Sequence, residues 1–151
     1  MGFVLAVYSS PLHGLPMIER ASLKAIVGIG LEGDRYARTA IIAQSSLPHE
    51  KICDATLIEM EAINEAHFPM IETRHNIVTV GVCLRELVGK VFRVGDVLMR
   101  GIESTPCKCK RTFDTPFKGS CGLRAEIITS GLIIGAVSRI TLEEKQYALV
   151  H

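Results

Sequence analysis

Short apolar runs separated by glycine, proline and serine recur along the whole chain, and few stretches are long enough for a helix. Residues 3–8, Phe3-Val4-Leu5-Ala6-Val7-Tyr8, read as a buried strand that stops at Ser9-Ser10-Pro11. A loop is expected around His13-Gly14 and Pro16. Residues 22–27 alternate and predict a second strand that closes at Gly28-Ile29-Gly30. Residues 36–53 have no clean period and predict mostly loop with some strand. Residues 55–58 predict a strand. Residues 59–67 predict a helix, with Ala62, Ile63 and Ala66 separable from Glu61 and Glu65, ended by Pro69. A strand follows at 76–80, then one or two helical turns at 83–88, stopped at Gly89. Residues 91–94 and 97–99 read as strands joined by a hairpin turn at Gly95-Asp96. Residues 123–129 predict another strand, and 132–140 hold one or two more after a turn at Ser130-Gly131. So many short strands with turns between them predict a mainly β (α+β) fold, a barrel or sandwich with a few short helices.

Composition narrows the class. The chain has 151 residues, is 48% hydrophobic and carries a formal charge of +1. That length fits one domain over 1–151 with a substantial core. Near-neutral charge gives no broad basic face of the kind nucleic acid requires. The first residues lack a cationic leader region, and no stretch approaches the roughly 20 apolar residues of a membrane span. A cytoplasmic protein with no membrane or nucleic-acid partner is the expectation. The five cysteines are odd in number and not spaced as a secreted disulfide framework, which favours a reducing compartment.

The stretch from Gly101 to Arg124, GIESTPCKCKRTFDTPFKGSCGLR, concentrates the chemistry. It reads as a constrained loop holding three of the five cysteines and two prolines. Lys108, Lys110 and Arg111 stand within four residues of Cys107. Nearby cations favour the thiolate, the form that attacks electrophiles and binds metals. Cys107 is therefore the first catalytic candidate. Free cysteine is more often core filling, and Cys53 and Cys83, with no such setting, keep that plainer reading. The turn Gly30-Leu31-Glu32-Gly33-Asp34-Arg35 reads by itself as a solvated turn, the alternative being that its glycines aim Asp34 and Arg35 inward. Among the histidines, His75 stands out beside Arg74 and Asn76 as an acid or base near neutral pH.

Four blocks fall in order: Gly30 through Arg35, Arg74-His75-Asn76-Ile77-Val78-Thr79 leading on to Gly95-Asp96-Val97, Pro106-Cys107, and Gly122-Leu123-Arg124-Ala125. Together they resemble the MOSC domain, found at the C-terminal end of molybdenum cofactor sulfurases and as small free-standing bacterial proteins. The resemblance implies a closed β-barrel like the pyruvate kinase barrel domain, with Cys107 as the functional cysteine. It implies a sulfur carrier that receives sulfur from a pyridoxal-phosphate-dependent cysteine desulfurase, the pyridoxal phosphate entering only through that partner. It also implies an alternative, a molybdenum-cofactor reductase of N-hydroxylated compounds with Cys107 as metal ligand. In either case Arg35, Arg74, Asn76, Lys108 and Arg124 become candidates for holding an anionic cofactor group. Each arginine also has the plainer reading of a surface ion pair. Cys109 and Cys121 are additional thiols, open to exchange with Cys107. A third reading is structural zinc on Cys107, Cys109 and Cys121 with His75 or His151, although the one-residue spacing of Cys107 and Cys109 is against it.

Overall fold

A computed structural model describes residues 2–12, 14–35, 37, 54–67, 69, 73–106 and 120–143. Eleven strands run β1 Gly2–Ser9, β2 Ile18–Arg20, β3 Ser22–Ile26, β4 Gly30–Leu31, β5 Ala55–Glu59, β6 Ile77–Val80, β7 Val91–Val94, β8 Val97–Pro106, β9 Ser120–Ile127, β10 Gly131–Ile134 and β11 Arg139–Leu142. One helix, α1 Met60–Ala66, and a 3₁₀ turn at Leu84–Leu87 complete the described elements. The main sheet has the order β11-β7-β8-β9-β5-β6-β1-β2, and β11 also pairs with β1. That last pairing closes seven strands into a barrel, with β2 as a flap on β1. Closure leaves those seven strands without an open edge, so their backbone groups are satisfied within the ring. The β5–β6 pair is parallel and the other neighbours antiparallel, because α1 supplies the crossover that a parallel pair needs. A smaller sheet, β10-β3-β4, lies alongside.

Strand alternation builds two cores. Val4, Val7, Leu57, Ile77, Phe92, Met99 and Leu123 belong to the larger cluster, and Ala6, Tyr8, Ile58 and Val78 pack outside with Met17 and Ile63 of α1. In β1 the two sets fall out of simple alternation because a bulge lies between Val4 and Ala6. The extra residue lets Val4 and Val7, three apart, join the same cluster. Burying each large aliphatic side chain contributes about 1.5–3 kcal/mol before entropy is counted.

Small residues make room for the 3₁₀ turn. Gly101, Ala125 and Ala55 lie in one row across β8, β9 and β5. Leu84 and Leu87 are buried over these strands, and a Cβ on Gly101 would run into the Leu87 carbonyl.

Several boundaries differ from the sequence reading. Residues 101–106 and 120–122, which lie in the stretch read as a constrained loop, are strand and extend β8 and β9, while 107–119 lie outside the described residues. Glu103 and Ser104 show no apolar alternation, and on this half-exposed wall Arg124 and Arg100 pair across strands with Glu103 and Glu126. The flap β2 was expected as loop; all three of its residues are exposed, so no apolar pattern marks it. The helix stops at His67, which adopts φ 54° and donates its N–H to the Asn64 carbonyl; Pro69 lies beyond that stop. The hairpin at Gly95-Asp96 forms as expected, Val94 pairing with Val97. Residues 36 and 38–53 lie outside the described residues, as does the expectation of loop there. Among the described residues no helix is long and apolar enough to cross a membrane.

Candidate functional site

The Gly30–Arg35 turn takes the inward reading. Gly33 holds φ +80°, a left-handed bend that glycine adopts without strain. After it, the Asp34 and Arg35 side chains are 0% and 3% exposed. Asp34 Oδ1 accepts the Ser10 backbone N–H at 3.1 Å and an Arg35 Nη1 hydrogen at 3.3 Å. Arg35 Nη1 also contacts the Met17 sulfur at 3.1 Å, and its Nη2 donates to the Arg74 carbonyl at 2.9 Å. One buried ion pair thus ties the end of β1, the segment before β2 and the approach to β6. Its lengthy partners, at sequence separations of 24 and 39, make it a clamp between loops.

Arg74 stands on that clamp. Its backbone has φ +60°, uncommon for a residue with a side chain, and the Arg35 bond to its carbonyl holds it there. Its own Nη1 donates to the Leu15 carbonyl at 2.9 Å, and the side chain remains at the surface. His75 is buried and its Nδ1 donates to the Thr73 carbonyl at 2.8 Å, since a carbonyl can only accept. Asn76 is wholly buried and engaged at both ends of its amide. Its Oδ1 accepts from the Thr56 N–H at 3.1 Å and the Thr56 hydroxyl at 3.0 Å, and its Nδ2 donates to the Tyr8 carbonyl at 3.2 Å. The side chain therefore joins β5, β6 and β1.

Arg124, on β9, stands opposite Thr56 of β5 and pairs with Glu103 on β8 at 3.1 Å. Arg100 and Glu126 repeat the arrangement at 2.7 Å. About a third of each Arg124 and Glu103 side chain is exposed, so water and salt screen the pair. From Arg124 the hairpin continues four residues to Ser120, which pairs with Pro106. At roughly 3.4 Å per residue that is about 14 Å. Cys107, Lys108, Cys109, Lys110 and Arg111 lie outside the described residues, as do Cys53, His151 and the Cys121 side chain. Cys83 is an exposed free thiol before the 3₁₀ turn. Among the described residues, no group of three His, Cys, Asp or Glu side chains is placed to hold a metal ion.

Two carboxylates fasten the connection after β6, a role the sequence reading did not assign to them. Glu59, at the N-cap of α1, accepts the Leu84 N–H at 2.9 Å, and Glu61 accepts the Gly81 N–H at 2.7 Å. Burial pushes the Glu59 carboxyl above its usual range, against the opposing pull of the Leu84 N–H. A raised folded value means that ionisation costs stability: the contribution is fully present below the unfolded pKa and lost as pH rises through the folded one. Glu59→Gln keeps an oxygen for Leu84 and removes the charge. Its thermal midpoint at pH 7 is expected to equal or exceed that of the parent, the gap closing near pH 4. A lower midpoint at pH 7 would show that the charge itself is needed.

No protein-family model matches the sequence, and no curated protein matches it. Solved structures do share the fold. YuaD from Bacillus subtilis superposes with a TM-score of 0.66 at 13% identity, covering 95% of this chain and 98% of that one. YiiM from Escherichia coli gives 0.58 at 16%, with 96% and 71% covered. A crystal structure described only as a hypothetical protein gives 0.64 at 17%, with 96% and 68% covered. Identities this low speak for architecture alone. The closed seven-strand barrel, shared with these structures over nearly the whole chain, fits a MOSC-like fold.

Proposed function

We propose that this chain is a sulfur carrier of the MOSC type, working with a cysteine desulfurase and linked to molybdenum cofactor metabolism. The observation that carries the reading is the barrel itself. The described parts of the four sequence blocks fall on this barrel and its turns, and in the chain Cys107 follows Pro106, the last residue of β8, which pairs with Ser120 of β9. The chemistry is thiol exchange. The Cys107 thiolate attacks the outer sulfur of the desulfurase persulfide, and the S–S bond to the desulfurase breaks, leaving its thiolate. Cys107 now carries the outer sulfur as a persulfide, with no net oxidation or reduction. An acceptor thiolate, on a partner or on Cys109 or Cys121, then attacks that outer sulfur, and the S–S bond to Cys107 breaks to return its thiolate. Lys108, Lys110 and Arg111 favour the thiolate by their charge.

The alternative, a reductase with resident molybdenum cofactor, needs a cradle for an anionic pterin. Asn76 uses its whole amide inside the barrel wall, and both terminal nitrogens of Arg35 are engaged in the clamp. Arg124 meets Glu103. Of the nominated cofactor residues within the described chain, Arg74 and Arg124 keep side chains at the surface, Arg74 bonded to the Leu15 carbonyl and Arg124 paired with Glu103. These engagements of the described residues favour the sulfur-carrier reading, which does not require a cradle.

Intact mass after incubation with desulfurase, cysteine and pyridoxal phosphate tests it. A gain of about 32 Da per sulfur is expected, removed by reductant and lost in Cys107→Ser. No gain in either protein would overturn the reading and turn attention to metal and pterin content.

A further inference from the structure

The small sheet β10-β3-β4 borders a cleft that the sulfur-carrier reading does not use. The cleft, about 310 Å³, lies between the end of β1, the β2–β3 corner, the turn after β4 and β10. That is at the low end of the roughly 300–1,000 Å³ typical of small-molecule sites. Arg20, Lys24 and Glu32 bring charge to it, Ser22 a hydroxyl and Leu132 an apolar wall. Leu132 is 49% exposed in a position where a strand residue would gain from cover. Gly33 offers open backbone, since a Cβ there would meet nothing within 4 Å.

The charges are positioned but uncommitted. Arg20 Nε donates to the hydroxyl of buried Ser9 at 3.0 Å, which orients the guanidinium. Its two terminal nitrogens have no hydrogen-bond or ion-pair partner among the described residues, and neither Lys24 nor Glu32 has an ion-pair partner there. Glu32 stands opposite Lys24, its N–H donating to the Lys24 carbonyl at 2.9 Å. Two cations and one carboxylate leave a single positive charge, centred on Arg20. Glu32 disfavours a dianion.

We propose that this cleft binds a small organic monoanion, a hydroxycarboxylate with a short apolar arm. Its carboxylate takes the terminal nitrogens of Arg20 in the bidentate geometry that guanidinium favours. Its hydroxyl meets Ser22 and Lys24, and its apolar arm covers Leu132. The far wall is Glu32-Gly33, one residue before the Asp34–Arg35 clamp, so occupancy would also steady that turn.

Amide NMR titration with 3-phenyllactate tests this, with the neutral isostere 3-phenylpropane-1,2-diol and inorganic phosphate as comparisons. Saturable shifts at Ser22, Gly33 and Leu132 are expected, with the diol at least about tenfold weaker. Arg20→Gln should also weaken binding about tenfold or more, as loss of a charged hydrogen bond implies. An unchanged spectrum away from the cleft would certify the variant's fold, and Lys24→Gln serves if it fails that check. Absence of saturable shifts, equal binding of the diol, unaltered affinity in a folded variant, or tighter binding of phosphate would each overturn the proposal.

Discussion

Asp34→Ala should lower the unfolding free energy by about 3–5 kcal/mol, the usual cost of stranding one member of a buried ion pair. Asp34 and Arg35 are almost fully out of water, so solvent cannot replace the lost carboxylate. The substitution takes the acceptor from the Ser10 N–H and the carboxylate from a guanidinium that also bonds the Met17 sulfur and the Arg74 carbonyl. A domain of this size has roughly 5–15 kcal/mol in total, so the variant should approach the threshold of folding. Urea denaturation at pH 7 measures it directly, and Asp34→Asn gives a milder form should the alanine variant not accumulate. The double change Asp34→Ala with Arg35→Met supplies the decisive comparison. Replacing both charges with apolar groups is often close to neutral, so the double variant should regain part of the loss. A single-variant loss below about 1 kcal/mol would mean that the clamp is not under load.

The same clamp marks how far the sequence could be read. The glycines of the turn and the charges after them were visible, and so was the option of aiming them inward. What decides between inward and solvated is the Ser10 N–H and the Arg74 carbonyl, partners 24 and 39 residues away, and no local pattern announces them. A mainly β fold of short strands was legible because short apolar runs and turn residues are local signals, as the Gly95-Asp96 hairpin illustrates, whereas closure into a barrel and not a sandwich came from the family resemblance. The bulge in β1 was not, because apolar residues fill positions on both faces of that strand and mask the shift of phase. The outer arms of the β8–β9 hairpin were read as loop for a related reason. Glu103, Ser104 and Thr105 carry no apolar alternation, and the Arg124–Glu103 and Arg100–Glu126 pairs that line this wall cross between strands. Glu59 and Glu61 looked like an ordinary acidic helix face; their acceptors' work appears only once the connection after β6 is brought against the helix start.

Asn76 carries the second large expectation, and it separates a structural role from a cofactor role. Its amide answers three groups, the Thr56 N–H, the Thr56 hydroxyl and the Tyr8 carbonyl, on two neighbouring strands of the closed barrel. Asn76→Ala leaves buried polar groups unanswered at about 1–3 kcal/mol each, so a loss of about 3 kcal/mol or more is expected without any ligand present. Asn76→Asp is more diagnostic. Its oxygens can still accept from Thr56, but the atom that donated to the Tyr8 carbonyl becomes an acceptor facing another acceptor. Ionising the new carboxylate in that buried place is unfavourable, so its folded pKa rises above the unfolded value. Stability should therefore be best preserved below about pH 4 and fall as pH rises through the folded value, opposite in sign to a salt-bridged aspartate. Thermal midpoints of parent and variant between pH 4 and 8 would trace this as a widening gap. A flat difference across that range, or wild-type stability of Asn76→Ala, would show the amide to be dispensable to the barrel and would return Asn76 to the residues available for binding.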